Sequence, residues 1–196
     1  MPWIIDYPLV LQQLKEQGLV CNYYNSGAFG FPPQDEIFIR GWIGPDDPTI
    51  KPVVRPLARQ VAAPFETCLA EAASRMWQQF LPGPLWIMPA SHWHFEMNFG
   101  SRDWMPNLLE SIELDPGLLV ERNNAAAIEF AAGEPKHFLH FARRLLEMSA
   151  GSDFLLAFPK RPVLCTLHHH KQLWWITTDK TLHEKLDEIV GGVASC

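Results

Sequence analysis

Little in this sequence is basic. Sixteen lysines and arginines stand against 22 aspartates and glutamates, a formal charge of −6. No cluster of cations is dense enough to track a phosphate backbone or an anionic bilayer, so neither nucleic acid nor a membrane is an expected partner. Long apolar runs are missing too: none approaches the ~18 residues that a spanning helix requires. Cysteine is sparse. Cys21, Cys68, Cys165 and Cys196 are far apart and form no C-x-x-C, which removes the zinc-ribbon and dithiol-redox patterns. The stretch "MPWIIDYPLVLQQLKEQG" has no basic start and breaks its apolar run at Asp6, so no signal peptide is expected. Reduced thiols and a cytoplasmic location follow from that reading. Also absent are the phosphate loop G-x-x-x-x-G-K-[ST], the dinucleotide turn G-x-G-x-x-G and the hydrolase elbow G-x-S-x-G.

What the chain does have is ample apolar residue content (47%) over 196 residues, enough for one self-sufficient core. The expected organisation is a single domain over 1–190 with a flexible tail at 191–196. Helical spacing marks segments after Asp6, after Pro64, around "RDWMPNLLESI", after Glu134 and in "LHEKLDEIV". Thr181 and Glu184 form a capping-box pattern before the last helix, and Gly191 is its expected stop. Short apolar runs at "LVCNYY", "EIFIRGWI", "LWIM", "AAAIEF", "DFLLAF", "PVLCTL" and "LWWITT" read as strands. The proline-rich "GPDDPTIKPVVRP" reads as a surface connection. Several connections are too short for parallel crossovers. The fold class is therefore α+β: a mostly antiparallel or mixed sheet packed by about four to five helices.

Two stretches carry possible chemistry. "LCTLHHHKQLWWITTD" is a hairpin around three consecutive histidines. With His170-Lys171 as a two-residue turn, His169 faces Gln172 and Leu167 faces Trp174, which puts Cys165 and Trp174 on the buried face. His-Lys is not the Asn-Gly or Asp-Gly that a tight primed turn prefers, so a longer loop around His169 to Lys171 is an equal reading. In the tight turn Trp175 points outward with His168, and His168, His170 and Trp175 are candidate ligand-binding residues. Side chains alternate along a strand, so three adjacent histidines of a regular strand cannot share one ion.

"HWHFEMNF" alternates without a slip from His92 to Phe99. Read as a strand, it buries Trp93, Phe95, Met97 and Phe99 and shows His92, His94, Glu96 and Asn98 on the other face. Two imidazoles and a carboxylate are a ligand set that zinc accepts with room for water, making His92, His94 and Glu96 the candidate metal ligands. Over six residues the run resembles H-x-H-x-D-H of the metallo-β-lactamases, with glutamate for aspartate and no final histidine. It also resembles H-x-E of the zinc deaminases, without their P-C-x-x-C. Neither pattern is complete, and no family is assigned.

Eight tryptophans exceed what a core of this size needs. An amphipathic aromatic groove accounts for the excess. The leading expectation is thus a non-catalytic binding or interaction module for an unidentified protein or small-molecule partner, without a cofactor. The alternative is a metal-dependent hydrolase using zinc or another divalent metal at the His-x-His-x-Glu strand.

Overall fold

The computed structural model describes residues 1–21, 29–32, 35–43, 54–56, 64–98, 100–101, 103–122, 126–148 and 152–193. Its elements in chain order are β1 (Trp3–Ile5), α1 (Tyr7–Glu16), β2 (Val20–Cys21), β3 (Phe29–Gly30), β4 (Phe38–Ile43), β5 (Val54–Pro56) and α2 (Phe65–Phe80). There follow β6 (Leu85–Pro89), α3 (Trp93–Asn98), α4 (Trp104–Glu110), α5 (Pro116–Arg122), β7 (Ala127–Phe130) and α6 (Pro135–Met148). The chain then forms β8 (Phe154–Ala157), β9 (Val163–His168), β10 (Gln172–Thr177) and α7 (Lys180–Val193).

Eight strands form one sheet in the order β1-β7-β6-β8-β9-β10-β4-β5. Every pairing is antiparallel except the outermost, β4 with β5. The fold is α+β. The parallel pair uses residues 54–56, inside the stretch read as a surface connection; residues 44–53 of it lie outside the described residues. Among the described residues, no helix is long and apolar enough to cross a membrane.

Both faces of the sheet are covered. On one, α2 and α6 pack with Trp77, Phe130, Phe138 and Phe141 edge-on or tilted between them. On the other, Val10 and Leu14 of α1 join Leu19, Phe29 and Phe31 against Trp86, Met88 and Leu164. Each such aromatic, fully buried, contributes roughly 1.5–3 kcal/mol of transfer free energy. Strands β6 and β8 are accordingly buried along their whole length. Their continuous apolar sequences suit a sheet with both faces covered.

Three local expectations are corrected. The stretch from His92 is the short helix α3, not a strand. Both edges of β6 are already taken, by β7 and β8, so an additional strand there has no neighbour to pair with. As a helix, the segment buries Trp93, whose indole N–H donates to the Ala126 carbonyl at 2.7 Å, and Glu96 one turn on. Phe95, an inward residue in the strand reading, is 47% exposed. At the last helix, Asp179 rather than Thr181 is the cap: its carboxylate accepts from Leu182 N at 3.1 Å, and its carbonyl accepts from His183 N. That helix also runs through Gly191 and Gly192 to Val193 instead of stopping at Gly191. Of the expected tail, residues 194–196 lie outside the described residues.

The third correction is the hairpin register. The longer of the two expected loops forms, three residues from His169 to Lys171, and Gln172 pairs with His168 instead of His169 as in the tight turn. Lys171 takes a left-handed φ of 56°, the conformation that closes a three-residue hairpin loop. A one-residue slip exchanges the faces. Trp175, not Trp174, therefore enters the core opposite Cys165, while Trp174 is half-buried on the other face. Cys165 is buried as expected, and burial pushes its thiol pKa well up.

Candidate metal centre at the end of the sheet

The antiparallel order β6-β8-β9-β10 brings the end of β6, the start of β8 and the β9–β10 turn to one end of the sheet. Pro89 pairs with Phe154, and Phe154 with Leu167. The next residue out on each strand extends the ladder: Ala90 N donates to the Asp153 carbonyl at 2.8 Å. Asp153 thereby lies beside the turn. Its Oδ1 accepts from His169 N at 3.0 Å and lies 2.8 Å from His169 Nδ1, while its Oδ2 is 3.8 Å from His168 Nε2.

The turn gathers the three rings that a regular strand would keep apart. His169 stacks on His168 with centroids 4.2 Å apart, and His170 tilts against both at 4.1 and 5.0 Å. One ligand nitrogen from each lies within 4.8 Å of the other two. Nitrogens around a tetrahedral zinc stand about 3.3 Å apart, given bonds of about 2.0–2.1 Å. An ion would draw the three rings closer than this, and His170 is the exposed member of the three. His168 Nδ1 accepts from His170 N at 3.1 Å, and its Nε2 faces Asp153 Oδ2 at 3.8 Å. His169 Nδ1 is committed to Asp153, leaving its Nε2 for an ion. A carboxylate on the far nitrogen of a ligating imidazole fixes the ring and raises its basicity.

The turn is braced from its other side as well. Lys171 Nζ forms an ion pair with Glu66 in the first turn of α2. A left-handed lysine costs of order 1–3 kcal/mol, and this pair helps offset it.

His92, His94 and Glu96 are not brought together as a ligand set. His92 and His94 are exposed around the start of α3, whereas Glu96 is fully buried. Among the described residues, the hairpin histidines are the group whose ligand atoms converge. Glu96 takes a different part. Ser91 donates to its Oε1 at 2.5 Å. Burial pushes its carboxyl pKa up and the nearby Asp153 charge adds to that, against the pull of Ser152 and Ser91 in the other direction. Ser152 is close enough to act on Glu96, yet neither Ser152 Oγ nor Glu96 Oε2 makes a well-formed hydrogen bond.

A carboxyl whose pKa is higher folded than unfolded loses stability as pH rises above its unfolded value, and the deficit persists above the folded one. Glu96→Gln keeps an acceptor for Ser91 and removes the buried charge. The variant is expected to resist urea better than the parent at pH 8, with no advantage at pH 4. Equal differences at the two pH values would show that the buried charge is fully compensated.

Trp175, a candidate ligand-binding residue from the sequence, is corrected: it is 0% exposed and stacks on Phe158 with centroids 5.7 Å apart. Trp77, Trp86, Trp93 and Trp104 are buried too. Trp3 is exposed on β1 and Trp174 is half-buried on β10. Five strand spacings, about 24 Å, separate those two strands, so they do not line one groove. Asp153 is the site residue that sequence reasoning missed. No protein-family model, no curated protein and no solved structure matches this chain.

Proposed function

We propose that this chain binds one divalent transition-metal ion, of the zinc class, through His168, His169 and His170. The observation that carries the reading is the approach of one nitrogen from each imidazole to within 4.8 Å of the others. Asp153 supports it by holding His169 from behind. Three neutral imidazoles suit zinc and its late-row neighbours rather than magnesium or calcium, which prefer oxygen.

Hydrolysis is the second reading, favoured by the number of imidazoles. Three protein nitrogens leave a tetrahedral ion one position for water, as in catalytic rather than closed structural sites. A metal held there supplies an activated water at neutral pH. The chain's own part is to orient His169 through Asp153 and to leave the His170 side open to solvent. A binding role resting on tryptophan has less behind it, since five of the eight are buried.

Tag-free protein prepared without chelator is expected to carry, or to take up, one equivalent of zinc. His169→Ala abolishes that uptake, and the paired variant His92→Ala/His94→Ala retains it. Elemental analysis and calorimetric titration read both. No zinc bound at about 100 μM, a very weak affinity for a three-imidazole site, would sink the proposal. So would uptake that survives His169→Ala.

A further inference from the structure

A second site lies on the α1 face of the sheet, toward the end opposite the histidines. A cleft of about 660 Å³ opens between the start of α1, the loop Pro82–Pro84 and the β8–β9 turn. It shares Leu9, Gln13 and Lys160 with a neighbouring cavity of about 460 Å³. Both volumes fall in the range of small-molecule sites.

Its charges are unusual for this protein. Elsewhere, oppositely charged neighbours pair: Lys171 with Glu66, Arg75 with Glu71, Arg143 and Arg144 with Glu147. In the cleft, Lys160 and Arg161 have no acidic partner among the described residues, and Glu129 has no cationic one, although all three line the same cavity. Glu129 Oε2 accepts from the Trp86 indole at 2.6 Å, which fixes the carboxylate. Lys160 is held at a left-handed φ of 68° in a turn closed by Arg161 N donating to the Phe158 carbonyl at 2.9 Å. Between the two charged ends the lining is apolar: Ile5, Leu9, Pro84 and Trp86.

We propose that this cleft binds a zwitterionic ligand of the amino-acid or short-peptide class. Its carboxylate meets Lys160 and Arg161, its ammonium meets Glu129, and an apolar side chain lies against Ile5 and Leu9. The site is independent of the metal centre.

Calorimetric titration of the full chain tests this, with free leucine and phenylalanine in one arm and dipeptides of the same residues in the other. One arm is expected to bind, which identifies the source. N-acetylated and C-amidated forms of that ligand lose about tenfold or more, the scale of a charge-assisted hydrogen bond. Glu129→Gln, which keeps the acceptor for Trp86, and the exposed double change Lys160→Ala/Arg161→Ala lose as much. The proposal is overturned if neither arm binds at about 10 mM, weaker than millimolar affinity. It is equally overturned if blocked ligands or acetate alone bind as well as the zwitterion, or if neither variant weakens binding.

Discussion

At the proposed zinc site, Asp153→Asn is expected to lower the affinity about 10–100-fold while leaving all three imidazoles in place. The carboxylate makes two contacts with His169, to the backbone N–H and to ring Nδ1. An amide oxygen can still accept one of these, so the ring stays roughly where it is. The negative charge behind the ring is lost, and with it the added basicity of Nε2. The Asn side chain also presents an NH₂ group toward His168 Nε2, which now faces Oδ2 at 3.8 Å. Competition against a chelating dye at fixed pH measures the change. An affinity unaltered by the substitution would mean that Asp153 only shapes the turn. A parallel urea titration separates the two roles, because a shaping role shifts stability without shifting affinity.

The two adjacent tryptophans of β10 respond very differently to truncation. Trp175→Ala costs about 3–5 kcal/mol, the range for removing a fully buried large aromatic. Its ring stacks on Phe158 and lies opposite Cys165. Trp174→Ala costs far less, since that ring is half-buried and its indole N–H donates to Gln172, two residues away on the same face. Denaturant midpoints of the two variants therefore read the hairpin register directly. The reverse order of costs would restore the two-residue turn and exchange the faces of β9 and β10.

Much of the architecture is legible in the residues, for a physical reason. Long amphipathic helices such as α6 repeat their apolar residues over four turns: Phe138, Phe141, Leu145 and Met148 stand out at once. Buried strands such as β6 are continuous apolar runs between prolines. The failures come where a local pattern fits two structures. "HWHFEMNF" alternates well enough for a strand, and only the sheet order reveals that both edges of the strand before it, β6, are taken. Its helical form also buries a glutamate, which the alternation cannot suggest without knowing that Ser91 is there to bond it. In the hairpin, the error is a single residue of turn length. Lysine at a left-handed position has no local signature, because a glutamate more than a hundred residues earlier helps to hold it. Asp153 was legible in principle. Once β8 and β9 are neighbours, Phe154 opposite Leu167 puts Asp153 opposite His168.

The turn that presents the histidines is shaped from outside itself. Asp153 grips it from the sheet, and Glu66 grips it from a helix whose sequence ends before β6 begins. An ion seated there would join three segments that are strangers in sequence, and anything that binds only this folded arrangement adds to its stability in proportion to RT ln(1 + [L]/Kd). Occupancy and the docking of α2 would then rise and fall together. Metal release becomes a report on the integrity of the whole helical layer, and a chain that has not yet packed α2 onto its sheet would have no finished site with which to compete for metal.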